Sequence, residues 1–306
     1  MNKERLATLF CGIKLPTPVL GASGTFGYGI EYKDFLNLAD VGGIISKGIT
    51  PLARAGNEGV RVAETPSGML NCIGLENPGI DKFLSDKLPH VREIAPTTPF
   101  IVNFSANTVE DYGMMAKKLD VDGVDGVEVN ISCPNVKEGG IAFGTDPDMA
   151  AAVTKAVKAN TQKPVIVKLS PNVTDITVIA KAVEAAGADA VSLINTLTGM
   201  AIDLKTRRPL LGNITGGLSG PAIKPIALRM VYQVAKVVKV PILAMGGITT
   251  GNDAVEFMLA GASAVAVGAA NFVNYNAVIT VAEELDQYLA DNNFAHVSEI
   301  VGKLEG

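Results

Sequence analysis

Eight short runs of apolar and β-branched residues constrain the fold of this chain more than any other feature. They are PVLGASG from Pro18, GGIISKG from Gly42, PFIVNFS from Pro99, GVEVNIS from Gly126, PVIVKLS from Pro164, AVSLINT from Ala190, PILAMGG from Pro241 and AVAVGAA from Ala264. Six lead into stretches with helical patterning, among them DPDMAAAVTKAVKAN, ITVIAKAVEAAGAD, IALRMVYQVAKVVK and NDAVEFMLAGAS. Near-continuous apolar strands alternating with helices predict a parallel sheet covered on both faces. An open doubly wound sheet is the alternative. Eight repeats, with the recurring GADAV at Gly187 and GASAV at Gly261, favour closure into a (β/α)₈ TIM barrel. At 306 residues, the chain fits one α/β barrel domain of about 250 residues plus insertions.

The polar residues at the ends of these runs carry the functional information. Ser23, Lys47, Asn103, Asn130, Lys168, Asn195, Gly246 with Gly247, and Gly268 all fall at or near carboxyl ends, the face on which barrels build their sites. Polar loops begin at any strand end, which suffices for Ser23 or Asn103 alone. It does not suffice for Lys168 inside PVIVKLS, because a lysine within a covered parallel sheet is desolvated at a cost of several kcal/mol unless a charge or ligand compensates. Lys47 in GGIISKG and Glu128 in GVEVNIS pose the same problem, and Glu128, Asn130 and Ser132 share one strand face. A buried pair between Glu128 and a lysine would explain some of these charges, but not three strands ending in Asn.

Two connections exceed plain barrel loops: Ile49 to Thr98, containing SGMLNCIGLENPG, and Leu197 to Pro221, containing TRRPLLGNITGGLSG. Insertions of this length on the carboxyl face are expected to cover or complete the site. AMGGI and AVGAA end the seventh and eighth runs, where barrels commonly bind phosphate through backbone N–H groups, and GGLSG ending at Gly220 offers a third such contact. No GxGxxG opens a helix, and neither GxxxxGK[ST] nor GxSxG occurs. A phosphate-bearing ligand is then expected to be a mononucleotide rather than NAD or ATP. The lysines suit a flavin, whose negative charge on reduction a neighbouring cation stabilises.

The three cysteines, Cys11, Cys72 and Cys133, are far apart and lack CxxC spacing, so neither a disulfide framework nor a metal site is expected. Cys133 stands out, because NISCPN places its thiol on a loop at the catalytic face, ahead of VKEGGIAFGTD, a glycine-bearing segment suited to act as a lid. Cys72 reads as packing for the loop that presents Asn71. A formal charge of −5 argues against a nucleic-acid surface. No apolar run approaches the ~18 residues of a membrane span, and MNKERLATLF lacks the pattern of a secretory signal; a cytoplasmic location is expected.

Together NISCPNVKEGGIAFGTDPD, VIVKLSPNVTDI, INTLTG, GNITGGLSGPAIKP and AMGGI resemble the class 1 dihydroorotate dehydrogenases, FMN enzymes of pyrimidine synthesis, over essentially the whole chain. The resemblance implies that Cys133 is the base that takes the proton from carbon 5 of dihydroorotate while hydride leaves carbon 6 for flavin N5; class 2 enzymes use serine there. It implies that Lys47, the loop Asn71, Cys72, Ile73, Gly74 and Leu75, and Asn130, Asn195 and Thr196 hold the substrate. FMN would contact Ser23, Lys47, Gly48, Asn103, Asn130, Lys168, Ile194, Gly220, Gly246, Gly247, Gly268 and Ala269. Ala269 stands where the family commonly has threonine, which leaves only its N–H for the phosphate. The VKEGGIAFGTD and GNITGGLSGPAIKPIALRMVYQVA segments look more like class 1B than class 1A, whose single-subunit members pass electrons to fumarate. Class 1B implies a homodimer of this chain joined to an iron–sulfur subunit carrying FAD, a heterotetramer that reaches NAD. Two other readings stay open on the residues alone: a Schiff-base aldolase using Lys168 as nucleophile, and a non-catalytic binding barrel.

Overall fold

The computed structural model describes residues 1–131 and 143–305. Its centre is a closed parallel barrel of β1 (Val19–Gly21), β2 (Ile44–Ile45), β3 (Phe100–Phe104), β4 (Gly126–Asn130), β5 (Val165–Lys168), β6 (Ala190–Leu193), β7 (Ile242–Met245) and β8 (Ala264–Val267), each strand pairing with its neighbours in sequence and the ring closing between β8 and β1. Each of the eight runs read from the sequence contains one of these strands, and the strand residues are buried throughout. Such strands read as unbroken apolar stretches because helices cover one face and the barrel interior the other.

Helices Val109–Leu119, Pro147–Lys158, Ile176–Ala185, Lys224–Ala235, Gly251–Leu259 and Ala277–Asp291 pack around the ring. Their starts follow local chemistry. Thr108, Asp146, Asp175 and Thr250 each accept backbone N–H groups of the first turn, satisfying donors that a helix start otherwise leaves unpaired. The β1–β2 crossover carries only short 3₁₀ turns at Ile30–Tyr32 and Leu38–Asp40.

Alternation along the strands sorts the barrel interior into layers. Leu20, Ile45, Ile101, Ile166, Leu243 and Ala264 belong to one apolar cluster low in the barrel. A hairpin, Thr8–Phe10 with Ile13–Leu15, adds Phe10, Ile13 and Leu15 to the same cluster and plugs the amino-terminal end. Two residues further along their strands, Asn103 follows Ile101 and Lys168 follows Ile166, so the polar residues form the next layer up. The strand ends thus place the polar groups at the carboxyl mouth.

The two long insertions pair with each other. Leu197–Met200, Thr215–Ser219, Gly68–Asn71 and Val62–Thr65 make a four-stranded antiparallel sheet in that order over the barrel mouth. No helix among the described residues is long and apolar enough to cross a membrane.

Candidate active site

A cavity of about 340 Å³ opens at the carboxyl end of the barrel beneath this sheet. Its walls bring together Ser23, Lys47, Gly48, Asn103, Asn130, Lys168, Ile194, Gly220, Gly246, Gly247, Gly268 and Ala269 with Asn71, Ile73, Gly74, Leu75, Asn195 and Thr196. Residues from every quarter of the sequence meet here because the ring returns each strand end to one mouth. Cys133 and the VKEGGIA part of the expected lid lie outside the described residues, as does Ser132; β4 leads toward them through Asn130 and Ile131.

Cys72 belongs to the same loop but not to the same surface. Its buried Sγ lies 3.6 Å from the Val60 carbonyl oxygen, in a small cluster with Leu70 and Leu211. Successive residues of an extended segment point to opposite sides, so Asn71 and Ile73 line the cavity while Cys72 packs the loop's back. Asn71 Nδ2 donates to the Gly217 carbonyl at 3.3 Å, tying one insertion to the other.

Residues not singled out from the sequence hold the loops that line the cavity beneath the cap sheet. Buried Asn77 accepts the N–H groups of Thr50 and Gly79 and donates to Thr50 Oγ1 and the Leu75 carbonyl, both at 2.7 Å. Asn172 donates to the Thr196 carbonyl at 3.0 Å and accepts the Thr198 N–H at 2.9 Å, fixing the turn that presents Asn195 and Thr196. The LENPG and SPN segments carry these residues, and Asn within a Pro-containing turn is the available signal.

Lys47 departs from expectation. The second strand ends at Ile45, so Lys47 lies beyond the sheet, half-buried, with its N–H on the Gly27 carbonyl at 2.7 Å. It carries no strand-interior desolvation cost. Lys168 does sit at the end of a buried strand, 6% exposed, and its Nζ is 3.6 Å from Oε2 of fully buried Glu128. The lysine left open in the sequence reading is therefore Lys168.

The loops after β7 and β8 form a glycine cradle. Gly246 and Gly247 both have positive φ, and a Cβ on Gly247 would stand 2.8 Å from the Lys224 backbone nitrogen. Glycine is required there by conformation and by close approach. Asp253 anchors the segment that follows: Oδ2 accepts Thr249 N and Oγ1 and Thr250 N, and Oδ1 accepts Lys224 Nζ at 2.6 Å. Burial pushes the Asp253 carboxyl up, but the Lys224 ammonium and the Thr249 and Thr250 donors outweigh it, bringing the pKa from 3.8 down to about 2. A depressed carboxyl stabilises the fold above its ordinary pKa, and the contribution disappears as pH falls toward 2. Asp253→Asn should therefore cost about 2 kcal/mol of stability at neutral pH. Parent and variant melting temperatures should converge as pH falls from 4 toward 2; a gap independent of pH would contradict the assignment. TTGND, a capping box at a helix start, is the sequence signal for this residue.

The closed ring, the cap sheet and a mouth lined with amides and two lysines define a (β/α)₈ barrel enzyme. A family model described as dihydroorotate dehydrogenase matches residues 5–289. The chain is 58% identical over 306 residues, all of both chains, to the dihydroorotate dehydrogenase B (NAD(+)) catalytic subunit of Geobacter sp. (strain M21), and equally to that of Geobacter sulfurreducens (strain ATCC 51573 / DSM 12127 / PCA). The same-named subunit of Thermoanaerobacter pseudethanolicus (strain ATCC 33223 / 39E) is 55% identical over 294 residues, 96% of this chain and 97% of that one. The chain belongs to the dihydroorotate dehydrogenase family and is an oxidoreductase. Membership removes the aldolase reading of Lys168 and the non-catalytic barrel.

Proposed function

We propose that this chain oxidises dihydroorotate to orotate in cytoplasmic pyrimidine synthesis, with FMN held in the cavity and Cys133 as the general base. The observation that carries the cofactor assignment is Asn103 Oδ1, a fully buried acceptor with no partner among the described residues. A buried acceptor without a partner is costly, and a ligand N–H in this cavity would satisfy it. The glycine cradle supports the same reading, since Gly246, Gly247, Gly268 and the Ala269 N–H suit a phosphate approached by backbone. Ser23, Gly48, Asn130, Ile194 and Gly220 complete the expected contacts. FMN bound there supplies the acceptor for the hydride leaving carbon 6.

The chain's own groups do the rest. Asn71, Asn130, Asn195 and Thr196 orient a planar anion whose edge alternates donors and acceptors, for which amide side chains that do both are suited. Lys47 holds the substrate's carboxylate, and Lys168 sets a positive charge against the wall where negative charge develops. Cys133, as thiolate, takes the carbon 5 proton. The four-stranded cap excludes water while this happens.

The relatives' names, catalytic subunits of an NAD(+) enzyme, support the class 1B form. In that form a homodimer of this chain associates with an iron–sulfur FAD subunit, and NAD is the final acceptor. The class 1A fumarate-reducing form is the second reading. Occupancy of the cradle is tested by Gly247→Val, which adds a branched side chain where the Lys224 backbone already stands. The variant should be purified without FMN; parental FMN affinity would show the phosphate site to be elsewhere.

A further inference from the structure

Three strands, β3, β5 and β6, direct polar side chains to one buried carboxylate on β4. Glu128 Oε2 accepts Asn103 Nδ2 at 2.6 Å and lies 3.6 Å from Lys168 Nζ; Oε1 accepts Ser192 Oγ at 2.7 Å. Glu128, Asn103 and Ser192 are fully buried. A carboxylate only accepts hydrogen bonds, so the Asn103 amide has one compatible orientation, with NH₂ toward Glu128. Its oxygen must then face the other way. There it has no partner among the described residues, and a methyl group added to cavity-lining Gly48 would stand 2.9 Å from it.

We propose that Glu128 is a positioning residue that sets the hydrogen-bond polarity of the cofactor cavity, presenting Asn103 Oδ1 as acceptor and Lys168 Nζ as cationic donor. The cavity then selects a ring edge that offers an N–H beside acceptor atoms, as the dione edge of a flavin does. The inference rests on FMN occupying the cavity, and adds to it the residue that decides which way round the contacts run. In Glu128→Gln the side chain can donate, the Asn103 amide is free to turn, and Lys168 loses its neighbouring negative charge.

Three proteins test this: the parent, Glu128→Gln, and the double variant Asn103→Asp/Glu128→Gln. In the double variant the introduced glutamine amide donates to the introduced aspartate, which keeps an acceptor facing the cavity and one negative charge in the network. FMN dissociation is followed by fluorescence, and the midpoint potential of the bound flavin is measured in parallel. Glu128→Gln should weaken FMN by about tenfold or more, equivalent to about 1.4 kcal/mol. Its potential should move positive, because the less compensated Lys168 favours the more negative reduced ring. The double variant should bind FMN to within about threefold of the parent, as a repaired pair does in a mutant cycle. Equal affinity and potential in the parent and Glu128→Gln overturn the role of Glu128. If Glu128→Gln does not fold, the double variant decides: near-parental FMN affinity supports the proposal, and a folded protein unable to hold FMN overturns it. A parent protein free of flavin overturns both this inference and the reading of the cavity.

Discussion

Cys133→Ala should retain FMN and orotate while flavin reduction by dihydroorotate slows by about 10² or more, the scale of losing a general base. Retention is expected because the residues proposed to contact FMN lie on the barrel strands and the glycine loops, and the amides proposed to orient orotate lie on β4, the β6 turn and the first insertion. The parental rate should rise with pH toward an ordinary thiol pKa of roughly 8.5, since only the thiolate accepts the proton, and the variant should lose that dependence. The other two cysteines serve as controls. Burial pushes the Cys11 thiol up to about 12, and Cys72 packs in an apolar cluster, so Cys11→Ala and Cys72→Ala should leave the rate unchanged. Anaerobic single-turnover mixing measures all three. A near-parental rate for Cys133→Ala would remove Cys133 from the mechanism.

The lone chain should reduce NAD at a negligible rate, with rapid NAD reduction only on adding an iron–sulfur FAD subunit. The chain has no dinucleotide fingerprint, and three scattered cysteines cannot supply the usual four thiolates of an iron–sulfur cluster. In the proposed arrangement, direct exit to NAD would also need the nicotinamide on the flavin face that dihydroorotate takes. Steady-state assays with dihydroorotate as donor, NAD or fumarate as acceptor, and the partner present or absent separate the cases. Rapid NAD reduction by the lone chain would defeat the two-subunit reading. Efficient fumarate reduction without a partner would move the chain to class 1A.

The barrel was legible because strands buried on both faces cannot disguise themselves: Val165–Lys168 and Ala264–Val267 are apolar up to the mouth, and what interrupts them is Lys168 and Gly268. The sequence-expected cofactor contacts all line one cavity for the same reason, since strand ends converge whatever lies between them. Pairing across the insertions was not legible. Asn71 and Gly217 are 146 positions apart, and no local pattern announces a contact so distant. The short hairpin Thr8–Phe10 with Ile13–Leu15 left too few residues for a period to show. Sequence adjacency groups Cys72 with its loop neighbours, whereas the side of the chain it occupies depends on backbone geometry. For Glu128, a buried carboxylate needing a cation was evident, but choosing between Lys47 and Lys168 required knowing that the second strand stops at Ile45.

The most direct test of the account is to purify the chain anaerobically and titrate it with dihydroorotate while following the flavin's visible absorbance and the orotate formed. The expected result is a yellow protein that releases one FMN per chain on denaturation, and whose colour bleaches as one orotate appears per flavin. A colourless protein, or a bound FMN that dihydroorotate leaves oxidised, would contradict it.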